Sequence, residues 1–138
     1  MNAPLYTTEI LRLAASLNGP VQLDREDGRA ELRSPTCGSR VTTAVMLDGE
    51  GKVAALSQSV HACAFGQASS ALLQQGAVGC DAPQVEAALA QLESWLGGGE
   101  AVPRWPGVAA LAPARSRKSR HGAILLPFRT LLAAMQSA

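Results

Sequence analysis

The sequence predicts an α+β domain in which helices pack on one face of a three-stranded antiparallel sheet. Three observations carry this. The first twenty residues repeat their apolar positions with helical period. The stretch from about Arg29 to Val60 alternates with period two around a turn. From Cys63 onward the helical period returns. A helix buries a stripe and a strand buries one face, so this order gives a helix-on-sheet layer structure.

Leu5 to Leu17 reads as the first helix. Ile10, Leu13, Ala14 and Leu17 share one stripe, Thr7 can cap it, and Glu9 suits the first turn. Asn18-Gly19-Pro20 ends it. Arg29-Ala30-Glu31-Leu32-Arg33 alternates charged and apolar residues, and Val41, Thr43, Val45 and Leu47 share a face of a second strand. Asp48-Gly49-Glu50-Gly51 is turn chemistry, so Lys52 to Val60 returns as the third strand of a hairpin. Phe65, Ala68 and Leu72 mark the next helix, which Gly76 closes. Asp81 with Pro83 opens another, with Val85, Ala88, Leu89, Leu92 and Leu96 as its stripe and Gly97-Gly98-Gly99 as its stop. Val102 to Arg120, with three prolines and a basic run, reads as mostly loop. A last helix is expected over Ile124 to Met135, with Pro127 near its start.

The chain has 138 residues, enough for one domain with a core at 47% apolar composition. Its formal charge is +1 and aromatics make up 4%, which argues against nucleic acid and anionic membrane as partners. No stretch reads as membrane-spanning, and the N-terminus lacks a basic region followed by an apolar one, so a cytoplasmic protein is expected. Gly97-Gly98-Gly99 follows a helix rather than a strand and is not a phosphate loop. No Ser-His-Asp set or carboxylate pair stands out, so no enzyme activity is expected. The run Arg115 to Arg120 reads as a solvated loop or a docking surface for an acidic partner.

Three cysteines remain: Cys37, Cys63 and Cys80. An odd number without a C-x-x-C pair argues against a disulfide framework. Each is either a buried small apolar residue or a thiolate with chemistry. Cys37 sits in a turn between strands. Cys63 sits where a strand gives way to a helix, whose unpaired N–H groups favour anions. The second strand runs away from the first turn and the third runs back. The hairpin therefore brings Cys37 and Cys63, 26 residues apart, to the same end. Two converging thiolates form half of a tetrahedral sulfur site for zinc or an iron–sulfur cluster. His61 alternates onto the Cys63 face and reads as a ligand or a surface histidine, and Cys80 as structural.

The segments Ser34-Pro35-Thr36-Cys37-Gly38-Ser39-Arg40-Val41 and His61-Ala62-Cys63-Ala64-Phe65-Gly66-Gln67-Ala68-Ser69-Ser70 resemble the two cysteine motifs of the NifU/IscU family of iron–sulfur cluster assembly scaffolds. The resemblance spans most of the chain and implies the SufE/NifU (IscU-like) fold as a single domain over residues 1-138. It implies metal ligation by Cys37 and Cys63, with His121 as a third candidate and with Ser39 and His61 at the pocket. The cargo implied is iron or a transient [2Fe–2S] cluster, with zinc as the alternative metal. Partners implied are a cysteine desulfurase and iron–sulfur recipient proteins, and a homo-oligomer bridging one cluster is a further option. Two departures are specific. Ser39 stands where the family has aspartate, and Gly122 or Ala123 stands where it has a third cysteine. The alternatives are a SufE-like persulfide acceptor using Cys63, and a degenerate member that binds a partner and no metal.

Overall fold

A computed structural model describes residues 6–35 and 38–138. The chain runs α1 (Thr8–Ala15), β1 (Gly28–Arg33), β2 (Arg40–Leu47), β3 (Val53–His61), α2 (Ala64–Gly76), α3 (Ala82–Leu96) and α4 (His121–Gln136), with two 3-10 helices at Val108–Ala114 and Lys118–Arg120. The sheet is antiparallel in the order β1-β2-β3. The α+β expectation, with a three-stranded antiparallel sheet, is met.

The local reasons match the sequence. Thr7 accepts from the Ile10 N–H to cap α1, which ends at Ala15, two residues before the expected Leu17. Asp81 and Gln84 form a capping box at the start of α3. The β2–β3 turn is held by the Asp48 carboxylate, which accepts from the Glu50 and Lys52 amides. Register places Ala30 opposite Thr43 and Thr43 opposite Gln58. That face packs on the helices, and Gln58 donates to the Thr43 hydroxyl inside it at 3.3 Å. The opposite face carries Arg29, Glu31 and Arg33, all exposed.

α4 is the centre of the molecule. Residues 123–128 are all buried, and the helix contacts β1, β2, α2 and α3. A helix apolar on every side belongs inside a layer rather than on a surface. Two places differ from the sequence reading. α4 starts at His121, three residues earlier than expected, and Pro127 lies inside it. Proline removes one rung of the helical ladder. Three residues before the proline, the Ser69 hydroxyl of α2 donates to the Ile124 carbonyl at 2.6 Å, a polar tie across the weakened turn. The stretch 102–120 is also more than loop. Trp105, Val108, Leu111 and Ala114 are buried there, and Trp105 donates to the Leu72 carbonyl at 2.8 Å. Prolines exclude a long α-helix, but short 3-10 turns still deliver apolar side chains to the core.

Gly28 of β1 lies against the α4 backbone, and a Cβ there would fall on the Ala134 carbonyl oxygen. Gly28→Ala should therefore lower stability by about 1–3 kcal/mol, read as a drop in urea midpoint with unchanged m-value. Asp27 accepts from the Leu47 N–H at 2.7 Å and sits 3.1 Å from the Arg25 guanidinium. That amide bond first, and Arg25 after it, hold its carboxyl below the ordinary 3.8. A depressed carboxylate contributes fully above about pH 4, and its contribution fades as pH falls through the lower folded value. Asp27→Asn should flatten the acid limb of stability against pH, measured by urea unfolding between about pH 6 and about pH 2.

Candidate functional site

The β2–β3 register ends with Arg40 opposite His61, and β1–β2 ends with Arg33 opposite Arg40. Beyond Arg33 and Arg40 the β1–β2 connection is closed by its own backbone. Ser34 N–H donates to Ser39 O at 2.9 Å, and Gly38 N–H donates to Ser34 O at 3.1 Å. Gly38 adopts φ +70°, a left-handed conformation suited to glycine. The flanks of Cys37 therefore stand at the end of the sheet where β3 runs into α2. Cys37 itself, with Thr36, lies outside the described residues.

Cys63 is the N-cap residue of α2, with extended backbone (φ −66°, ψ 173°) and no side-chain capping bond. The corner around it is tied by Gln67, a residue that sequence reasoning passed over. Its N–H donates to Cys63 O and its side-chain amide to Ala62 O, both at 2.9 Å. The spacing of four from Cys63 was the available signal. Phe65, fully buried, anchors the first turn and meets the Tyr6 ring edge-on at 5.0 Å. An open cavity of about 440 Å³ lies at this corner, lined by Gly38, Ser39, Val60, His61, Ala62, Cys63 and Gln67. Cys63, His61 and Ser39 are thus brought together. Ser39 is buried, Cys63 half-buried and His61 exposed. Among the described lining residues there is no carboxylate.

His121 is placed differently. It opens α4, half-buried, and its Nε2 donates to the carbonyls of Ala114 and Arg115 at 2.9 and 3.1 Å. It is not among the described residues that line the cavity. Two residues on, Ala123 is fully buried against Gly66, so close that a Cβ on Gly66 would meet Ala123 O at 3.2 Å. The first turns of α2 and α4 therefore abut. Neither Gly122 nor Ala123 supplies a metal donor there. Among the described residues no three His, Cys, Asp or Glu side chains gather as a metal set.

Cys80 stands apart. Its carbonyl accepts from the Val53 N–H at 2.9 Å, at the start of β3, whereas Cys63 follows the end of that strand. The strand separates the two thiols by roughly 25 Å. Cys80 Sγ contacts the Gly76 carbonyl at 3.4 Å. Burial, and then the Asp81 charge, push its thiol above the ordinary 9.0. Carbamidomethylation of Cys80, followed by peptide mass mapping, should keep accelerating beyond pH 9.0. A plateau reached below that pH would contradict this environment.

No family model matches the chain, and no curated protein matches it in sequence. Solved structures do. A NifU-like protein (N-terminal) from Brucella abortus is 30% identical, with a TM-score of 0.88, covering 96% of this chain and 93% of that one. A protein from thermophilic Fervidobacterium islandicum AW-1, assigned as an iron–sulfur cluster assembly scaffold for the SUF system, is 21% identical with a TM-score of 0.82. The shared coverage is 95% of this chain and 96% of that one. Its likeness concerns the fold. With the fold, the corner site and near-complete coverage in agreement, the chain belongs to the NifU/IscU-type scaffold family.

Proposed function

We propose that this protein acts in iron–sulfur cluster assembly as a non-enzymatic, cytoplasmic single-domain carrier, holding iron or a nascent [2Fe–2S] cluster through Cys63 and Cys37. The observation that supports this best is Cys63 at an uncapped helix N-terminus, facing a cavity of about 440 Å³ shared with Gly38 and Ser39, the neighbours of Cys37. Amide N–H groups at such a terminus favour a thiolate or sulfide. Thiolates are the natural ligands of soft metal and iron–sulfur cargo. A cysteine desulfurase and recipient proteins are the partners this reading requires.

The donor set departs from a closed four-ligand site. Ser39 offers a hydroxyl without negative charge, and Nε2 of His121 is committed to two carbonyls. Two thiolates leave coordination positions open to solvent or to a partner's donor. Such a site holds its cargo transiently, and zinc would occupy it on the same terms.

A second reading is favoured by the same geometry. Cys63 is the sole thiol among the described lining residues of the cavity. A sulfur acceptor of the SufE type needs only that one nucleophile. Cys63 thiolate would attack the terminal sulfur of a desulfurase persulfide. The new S–S bond makes Cys63 the persulfide, and the desulfurase cysteine leaves as thiolate.

Three measurements separate these readings. Anaerobic reconstitution with ferrous iron, sulfide and thiol reductant should give visible charge-transfer absorption, and Cys63→Ser or Cys37→Ser should abolish it. Metal analysis of protein purified without chelators should show iron or zinc at a substantial fraction of one per chain. Persulfide on Cys63 by mass spectrometry after incubation with a desulfurase, without absorption or metal, selects the acceptor reading. Absence of all three signals leaves only a partner-binding role.

A further inference from the structure

The outer edge of β3 carries main-chain groups that the sheet does not use. Two neighbouring contacts fix which ones. Val45 O accepts from Asp27 N–H at 2.8 Å, and the Arg29 main chain is spent on the Ser137 hydroxyl, outside the sheet. In an antiparallel sheet the main-chain groups of successive residues turn to alternate sides. Val45 therefore faces β1, and Leu56, its partner on β3, faces the open edge. Gln58, paired with Thr43 two residues along, does the same. Among the described residues this edge is paired only at its start, where Val53 donates to Cys80 O and Gly79 donates to Val53 O, both at 2.9 Å. The main-chain groups of Leu56 and Gln58 find no backbone partner on this side among the described residues.

Residues 18–21, in the α1–β1 connection, run past this edge without pairing to it. Side chains hold them there. The Gln74 amide of α2 bonds both main-chain groups of Asn18, at 3.0 and 3.1 Å, and Ser57 Oγ accepts from Val21 N–H at 2.9 Å. Between the connection and the edge lies a cavity of about 430 Å³, lined by residues 18–21, Leu56, Gln58 and Gln74. It shares no described lining residue with the Cys63 cavity. Gln58 is its unusual member. The residue is 1% exposed, and its Nε2 is spent on Thr43 of β2. Oε1, the other branch of the planar amide, turns away from β2 and has no hydrogen-bond partner among the described residues. A buried amide oxygen left unpaired costs stability, and packing alone would favour an apolar residue at this position.

We infer that this cavity binds a small uncharged molecule carrying a hydrogen-bond donor beside an acceptor, as a carboxamide or lactam does. The main-chain N–H and C=O of Gln58, side by side on the edge, take such a pair, and Gln58 Oε1 takes a second donor. No charged side chain lines the cavity among the described residues, so an ionised ligand would lose hydration without gaining a counter-charge. Pro20, Val21 and Leu56 supply apolar wall. A volume of about 430 Å³ falls within the range of small-molecule sites. β3 holds no Asp, Glu, Lys or Arg to discourage strand addition, whereas β1 holds Arg29, Glu31 and Arg33. The connection standing across the edge serves that purpose instead, which shuts out a whole added strand and leaves room for a small molecule. Cys63 chemistry plays no part in this site.

The test titrates the full, isotope-labelled chain with benzamide and follows backbone amide shifts by NMR. Binding should saturate with a dissociation constant of about 1 mM, as expected for so small a probe. The largest shifts should fall at residues 18–21, 56, 58 and 74. Acetophenone has the same shape without the donor, and benzoate is the charged isostere. Each should bind about fivefold more weakly or worse. Gln58→Met keeps the side-chain length and removes the amide, and should weaken benzamide about fivefold. Gln75→Met, which changes an exposed amide outside this cavity, should leave binding unchanged. The three probes on the unmutated protein decide the matter even if Gln58→Met folds poorly. Shifts that never saturate, shifts centred elsewhere, or equal binding of benzamide and acetophenone overturn the inference. So does undiminished benzamide binding by folded Gln58→Met.

Discussion

The close approach of α4 to its neighbours is the constraint on which the rest of the structure depends. This helix is apolar nearly all round and must be enclosed on every side. Two glycines let it in. Gly28 admits the Ala134 backbone at one end, and Gly66 admits Ala123 at the other. Side chains at either position would force the layers apart. Because both contacts hold, the first turn of α4 is fixed beside the first turn of α2. The sheet end, the Cys63 corner and the start of α4 become one locus.

What gathers there is chemically lopsided. A thiol, a buried hydroxyl and an exposed imidazole share a cavity with no carboxylate among its described lining residues. Where the family resemblance expects an aspartate, Ser39 is held in the closed backbone of the β1–β2 connection. The next residue, Arg40, faces both Arg33 and His61 across the sheet. Replacing an anion with a neutral group beside Arg40 removes one negative charge from this end of the sheet.

Much of this was legible in the sequence. The period change from helix to strand and back gave the order of elements, and Asp48-Gly49-Glu50-Gly51 fixed the hairpin that brings both ends together. Asp81 and Thr7 cap the helices they were expected to cap. The placing of His61 beside Cys63 followed from strand alternation, and that of Ser39 from the family resemblance. The stretch 102–120 was less legible, because prolines announce where an α-helix fails but not what replaces it. Trp105 enters the core from a bend just before the first 3-10 helix, bonded to Leu72 of α2, and Leu111 enters from that helix itself. Pro127, expected near the start of the last helix, lies three residues deeper in it. Its cost inside a helix is tolerable when α2 and the sheet enclose that helix, which local propensity does not register.

The sequence by itself determined the layers and the strand-to-helix corner at Cys63, since periodicity, caps and turns are local properties of neighbouring residues. Only the tertiary structure decided which candidates meet. It withdrew His121 Nε2 to the carbonyls of Ala114 and Arg115, and it left Cys80 at the far end of β3. It also turned the scattered Arg33, Arg40 and His61 into one row. Proximity between residues distant in the chain is set by register and by helix packing, and both follow from how the whole apolar surface is enclosed rather than from any single segment.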